Sequence, residues 1–236
     1  MELREFAYIK RNIEIVKENI ARAAVDSGRK AEDIMLVAAA KTYSCEMVKT
    51  AIGAGVDAIG ENRVQEMTEK HGQGAYTEAP LHFIGTLQSN KVGKVVGVCD
   101  LIESVDSIAL LSRIGKKAIS LGIVQNCLLE INIGKEPQKA GILPEDIFQV
   151  LESAADIDGI NVLGLMTIGP IDGKNSKIRH FFDKMFQLYI DISAKKYDNV
   201  SVRFLSMGMS DSYIDAIHAG ANIVRVGSAI FGNREL

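Results

Sequence analysis

Polar and apolar positions along the chain alternate between two rhythms. From Glu2 to about Arg29, the residues Leu3, Phe6, Ile9, Ile13, Val16, Ile20 and Ala24 recur at steps of three and four, the stripe of an amphipathic helix, and Gly28 offers a stop. Short apolar runs of strand length then follow one another: IMLVAAA (34–40), DAIG (57–60), LHFIG (81–85), LIES (101–104), QNCLLEINI (125–133), INVLGLMTI (160–168), VRFLS (202–206) and NIVRVG (222–227). Between them lie helix-like segments: SCEMVKTAIGAG, LQSNKVGKVVG, SIALLSRIGKKAISLG, PEDIFQVLESAAD, SKIRHFFDKMFQLYIDISAK and SDSYIDAIHAG. Strands alternating with helices predict right-handed parallel βαβ units. Eight of them favour closure into a (βα)8 TIM barrel behind an N-terminal helix, with an open doubly wound sheet as second choice. Two similar stretches, AIGAG (51–55) and AIHAG (216–220), each precede a strand, and their last glycines suit left-handed helix caps. No low-complexity linker interrupts the pattern, so residues 1–236 are expected to form a single domain.

Composition narrows the function classes. Of the 236 residues, 47% are hydrophobic and 24% charged, enough apolar material for a core without staples. The net charge of −3, the scattered Lys and Arg and the lack of tryptophan argue against a nucleic-acid surface. No apolar stretch approaches membrane-spanning length, and the start, MELREFAYIKRN, is charged rather than signal-like, so a cytoplasmic protein is expected. Cys45, Cys99 and Cys127 are odd in number and far apart, and His71, His82, His180 and His218 lack ligand spacing. Neither a disulfide framework nor a metal site is expected.

The run Leu36–Ala40 ends on Lys41, followed by Thr42, Tyr43 and Ser44. A strand buried on both faces delivers its last side chain to the edge of the core, and there a lysine is either solvated or an amine held for chemistry. In an α/β barrel the site is built at the C-terminal ends of the strands. Read that way, Lys41 closes the first strand, Gly60–Arg63 follows the second, His82 lies within the third, and Met166 and Thr167 end the sixth. SMGMSD (206–211) follows the seventh strand, and Gly227-Ser228 follows the eighth. Barrels often hold phosphate in these last two loops, and Ser210 or Asp211 could open the following helix. A lysine facing a phosphate site suits either a class I aldolase-like phosphosugar enzyme or a pyridoxal 5′-phosphate (PLP) protein. Arg225, two residues before Gly227 on the same side of its strand, could reach the pyridine nitrogen or the phosphate of PLP, or form an ion pair with Asp215 or Glu61.

The assembled blocks AAAKTYS, GENRVQE (60–66), LHFIGTLQSNK (81–91), INIGKEPQKAGI (131–142), GLMTIGP (164–170) and LSMGMSDSYIDAIHAGANIVRVGSAIFGNRE (205–235) resemble the pyridoxal phosphate homeostasis proteins, also called proline synthetase co-transcribed homologues, over nearly the whole chain. That family is similar to the barrel domain of alanine racemase, a fold type III PLP protein. The resemblance implies PLP held as an internal aldimine on Lys41, Arg225 facing the ring nitrogen, and Ser210, Gly227 and Ser228 on the phosphate with Ser206 near it. Asn62, His82 and Met166 would line the pocket. For Asn62 an asparagine turn, and for His82 a satisfied core histidine, stay open beside ligand contact.

Alanine racemases add a C-terminal β domain with a catalytic tyrosine, whereas this sequence ends at Leu236, soon after its eighth strand. Racemisation needs a base on each face of the substrate carbon, and an arginine at the ring nitrogen weakens the electron sink. The resemblance therefore implies a PLP carrier in vitamin B6 homeostasis, without catalytic residues, that could pass PLP to apo-enzymes. The alternative is a PLP-dependent amino-acid racemase of low activity, with a phosphosugar lyase third. A monomer is expected, with FFDKMFQLYI (181–190) packed on the barrel or, as second choice, on a partner.

Overall fold

The computed structural model describes residues 6–169 and 175–232; Leu3 of the first stripe, Pro170 and the terminal NREL lie outside them. Eight parallel strands close into a barrel in chain order: β1 (Met35–Ala39), β2 (Ala58–Glu61), β3 (Leu81–Phe83), β4 (Leu101–Val105), β5 (Gln125–Glu130), β6 (Ile160–Met166), β7 (Val200–Ser206) and β8 (Ile223–Val226). β8 pairs with β1, so the doubly wound alternative is set aside. The helices are α1 (Ala7–Asp26), α2 (Cys45–Gly53), α3 (Val64–Gly72), α4 (Ile108–Ser120), α5 (Ile147–Ala155), α6 (Asn175–Ser193), α7 (Tyr213–His218) and α8 (Ser228–Phe231).

The strands alternate between two apolar layers. Val37, Ala58, Leu101, Leu128, Leu163, Met166 and Ile223 fill the barrel interior, while their neighbours Leu36, Ala38, Ile59, Ile102 and Leu129 pack outward under the helices. That two-sided burial is why these strands read as continuous apolar runs. Gly164, at φ +150°, sits where β6 slips register against β7; a Cβ there would stand 1.9 Å from the Phe204 carbonyl oxygen. The helix α1 buries Ile9, Ile13, Val16 and Ile20 and ties the far end of the chain to itself. Asn12 donates to the Ile230 carbonyl at 2.9 Å and Arg29 to that of Ala221 at 2.8 Å.

Three sequence expectations need correction. LQSNKVGKVVG forms a 3-10 helix over Ser89–Lys94, not an α-helix: this short helix contains Gly93 and buries only Val92. α3 went unrecognised because its inward face combines Met67 with an ammonium, Lys70, and so lacks an apolar stripe. α7 starts at Tyr213 with Ser212 as its N-cap, so neither Ser210 nor Asp211 opens it. The α6 face carrying Phe182 and Met185 packs on the barrel as expected.

Candidate functional site

A polar layer lies above the apolar barrel interior, towards the C-terminal strand ends. It is made of His82 from β3, Glu103 from β4, Glu130 from β5, Ser206 from β7 and Arg225 from β8, all buried. Arg225 donates through Nη1 to the Ser206 hydroxyl and through Nη2 to the Thr167 carbonyl at 2.8 Å. Ser206 donates in turn to Glu103 Oε2 at 2.6 Å, and Glu103 Oε1 lies 2.7 Å from His82 Nδ1. Burial alone would raise the Glu103 carboxyl, but hydrogen bonding and charge from His82, with Arg225 and Ser206, more than offset it and hold the group below the usual carboxylate range. Glu130 goes the other way: burial raises it, against the charge of Arg225. Burial lowers Arg225, against Glu103 and Glu130, yet a guanidinium stays protonated in proteins. Arg225 thus pairs with Glu103, not with Asp215 or Glu61.

Above this layer opens a cavity of about 300 Å³ lined by Ala39, Lys41, Tyr43, Asn62, Ile84, Ile168, Met209, Ser210, Asp211, Arg225, Gly227 and Ser228. Six of the sequence-predicted residues meet there: Lys41, Asn62, Ser210, Arg225, Gly227 and Ser228. His82, Met166 and Ser206 do not line it. They lie in the buried layers beneath, His82 as a histidine satisfied by Glu103. Ile84, Ile168 and Met209 also line the cavity, apolar side chains in loops that carry no chemical signal in the sequence, as does Tyr43, whose hydroxyl donates to the Gly232 carbonyl at 2.9 Å.

Lys41 lies two residues beyond the end of β1, in the turn leading to α2, rather than closing the strand. The turn is built by local polar chemistry. Ser44 caps α2 by accepting from the Met47 amide at 3.3 Å, and the Thr42 hydroxyl donates to the Lys41 carbonyl at 2.6 Å. Thr42 itself has φ +69°, a left-handed conformation that costs a β-branched residue about 1–3 kcal/mol. Across the cavity, Ser210 accepts at 3.2 Å from the amides of both Gly227 and Ala229, so it caps α8 instead of α7. One hydroxyl therefore joins the loops after β7 and β8.

A larger groove of about 450 Å³ at the opposite end of the barrel includes Asp33, Asp57 and Asn222. Their polar atoms are already engaged with the backbone amides of Lys30, Leu36 and Leu205. The strand-end cavity is therefore the better candidate.

Residues 11–235 match the alanine racemase N-terminal domain family. The chain is 38% identical to the pyridoxal phosphate homeostasis protein of Aquifex aeolicus over 220 residues, covering 93% of this chain and 96% of that one. It is 34% identical to the Escherichia coli K12 homeostasis protein over 230 residues, covering 96% and 97%. The chain belongs to the pyridoxal phosphate homeostasis protein family. Among solved structures, PipY of Synechococcus elongatus with PLP bound superposes with a TM-score of 0.79 at 30% identity, covering 90% of this chain and 100% of PipY. An alanine racemase of Clostridium difficile shares the fold at a TM-score of 0.71 and 18% identity, covering 97% of this chain and 56% of the racemase. The homeostasis family thus shares its barrel with the racemases.

Proposed function

We propose that this chain binds PLP in the strand-end cavity and works in vitamin B6 homeostasis, holding the cofactor and yielding it to PLP-dependent apo-enzymes. The observation that carries this reading is the meeting of Lys41 and Arg225 on one cavity with Ser210, Gly227 and Ser228. A PLP-bound relative supports it.

The residues fit the group. When bound, PLP supplies an aldehyde that a primary amine can capture, a ring nitrogen and a phosphate. Lys41 is the amine at the cavity, and it would hold the cofactor covalently. Arg225, which can only donate, would face the ring nitrogen and favour its unprotonated form. Ser210, Ser228 and the Gly227 backbone would hold the phosphate. A Cβ at Gly227 would stand 3.2 Å from the Ala39 carbonyl oxygen, so the cradle is already tight against β1. Asn62 would complete the wall, while Ser206, His82 and Met166 act from below, the first two by fixing Glu103 and through it Arg225.

The three cysteines are free and buried, and no described helix is long and apolar enough to cross a membrane. A cytoplasmic setting is in keeping with both. The experiment is a visible absorption titration of the purified chain with PLP, followed by borohydride reduction and peptide mapping. A new visible band and cofactor fixed on Lys41 support the reading; no band, or labelling of another lysine, overturns it.

A further inference from the structure

The two peptide groups that flank the Lys41 Cα are each held by a side chain of α3. The Ala40 carbonyl accepts from Lys70 Nζ at 2.8 Å, and the Thr42 amide donates to Glu66 Oε2 at 2.9 Å. Glu66 and Lys70 stand one helical turn apart, so they present an acceptor and a donor on one helix face. Lys70 is nearly buried and is itself fixed by Glu61 Oε1 at 2.7 Å, an atom that also accepts from the Tyr76 hydroxyl at 2.9 Å. Glu61 is fully buried, and its second oxygen has no hydrogen-bond partner. A buried charged group on the helix side of a barrel is costly unless it is paired and hydrogen-bonded, as Glu61 is by Lys70 and Tyr76. Here it anchors the ammonium that holds the backbone just before Lys41. The left-handed Thr42 follows at once, a conformation that the Lys41 turn would not keep unaided.

We propose that Glu66 and Lys70 are positioning residues that fix the backbone on both sides of Lys41 and so hold its amine in the cavity for an incoming aldehyde. This rests on the PLP reading of the site. Neither residue lines the cavity, so their effect passes through the turn.

Glu66→Ala is the main test, because Glu66 is only partly buried and its other partner, Arg63 at 3.0 Å, is an exposed side chain, so its loss should leave the fold intact. It should weaken the apparent PLP affinity about tenfold, the scale of one charge-assisted hydrogen bond, and speed hydrogen exchange at the Thr42 amide in the PLP-free protein. Glu66→Gln keeps an acceptor for that amide and should bind PLP as the wild type does. Adding Thr42→Gly to Glu66→Ala should recover much of the affinity, since glycine takes the left-handed conformation without strain. Lys70→Met should weaken binding in the same direction, with its folded state checked by far-ultraviolet circular dichroism. Unchanged affinity and exchange in Glu66→Ala would overturn the proposal, as would an affinity loss that Thr42→Gly fails to relieve. A wild type that binds no PLP would instead overturn the function, and the Thr42 exchange rates would still judge the clamp.

Discussion

Arg225 Nη1 lies 3.7 Å from Glu103 Oε2, with the Ser206 hydroxyl bonded to both residues. The guanidinium of the buried layer is thus held by a carboxylate through a serine, and a second carboxylate, Glu130, feels the same charge. Arg225→Gln should take the guanidinium charge away from two buried carboxylates, leaving Glu103 to His82 and the Ser206 hydroxyl. The expected loss is about 3–5 kcal/mol in urea denaturation, with weaker PLP retention and a shifted visible band. Unchanged stability and spectrum would remove Arg225 from both roles.

Glu103 should shape the acid limb of stability. Its carboxyl is depressed in the folded chain, so its contribution is present above the unfolded value of about 4.3 and is lost as pH falls through the folded value. Wild-type stability should therefore drop on acidification below about pH 4.3, and Glu103→Gln, less stable at neutral pH, should show a shallower drop. Parallel curves for the two proteins from neutral to acid pH would refute this assignment.

Lys41→Ala should remain folded, because the half-buried side chain lies in a loop, yet lose the visible band and all borohydride-stable cofactor. The measurement is reductive labelling read by mass spectrometry. Residual covalent cofactor would point to another amine.

Much of this was legible in the sequence, for a physical reason. Doubly buried strands such as Leu36–Ala38 must be apolar throughout, so a polar residue in or just after one, such as Arg225 or Lys41, stands out, while Ser210 shows through its place in a loop of the kind that holds phosphate. Other groups were hidden. Lys70 looks like a surface lysine until Glu61 and Ala40 are seen to surround it. Ser210 could equally have capped the helix that follows, and only the fold shows it reaching α8. His82 sits on a strand that points at the site, but Glu103 takes its ring first.

Gly208, at φ +92° in the loop after β7, accepts the Arg225 amide at 3.0 Å. A Cβ there would stand 2.5 Å from the Ala216 Cβ and 2.9 Å from the Tyr213 Cα. Gly208→Ala should lower stability by about 1–3 kcal/mol and loosen PLP together with it. Calorimetry of the PLP-free and PLP-loaded proteins would test both, and an undisturbed melting temperature would show that the loop can shift at no cost.

Loaded protein incubated with alanine or serine should leave their chirality unchanged over the time in which it reactivates a PLP-dependent apo-enzyme. On the proposed reading Arg225 would keep the ring nitrogen unprotonated, which disfavours carbanion chemistry. Rapid racemisation dependent on Lys41 would replace the carrier reading with the racemase one. Failure to reactivate the apo-enzyme would restrict the role to storage.

The pairing of β1 with β8 has a consequence during synthesis on the ribosome. Lys41 emerges early, while Arg225 and Ser228 come nearly two hundred residues later, and the Tyr8 hydroxyl finds its acceptor at Phe231, 223 positions away. Until β8 arrives, the edge of β1 is unpaired and α1 has nothing to cover on its distal side. Such long-range closure is slow, and the half-made barrel exposes apolar surface and strand edges to the cell. A ribosome-bound chain stopped before β8 should be sensitive to protease throughout α1 and should take up no cofactor, so loading is an event of the finished polypeptide.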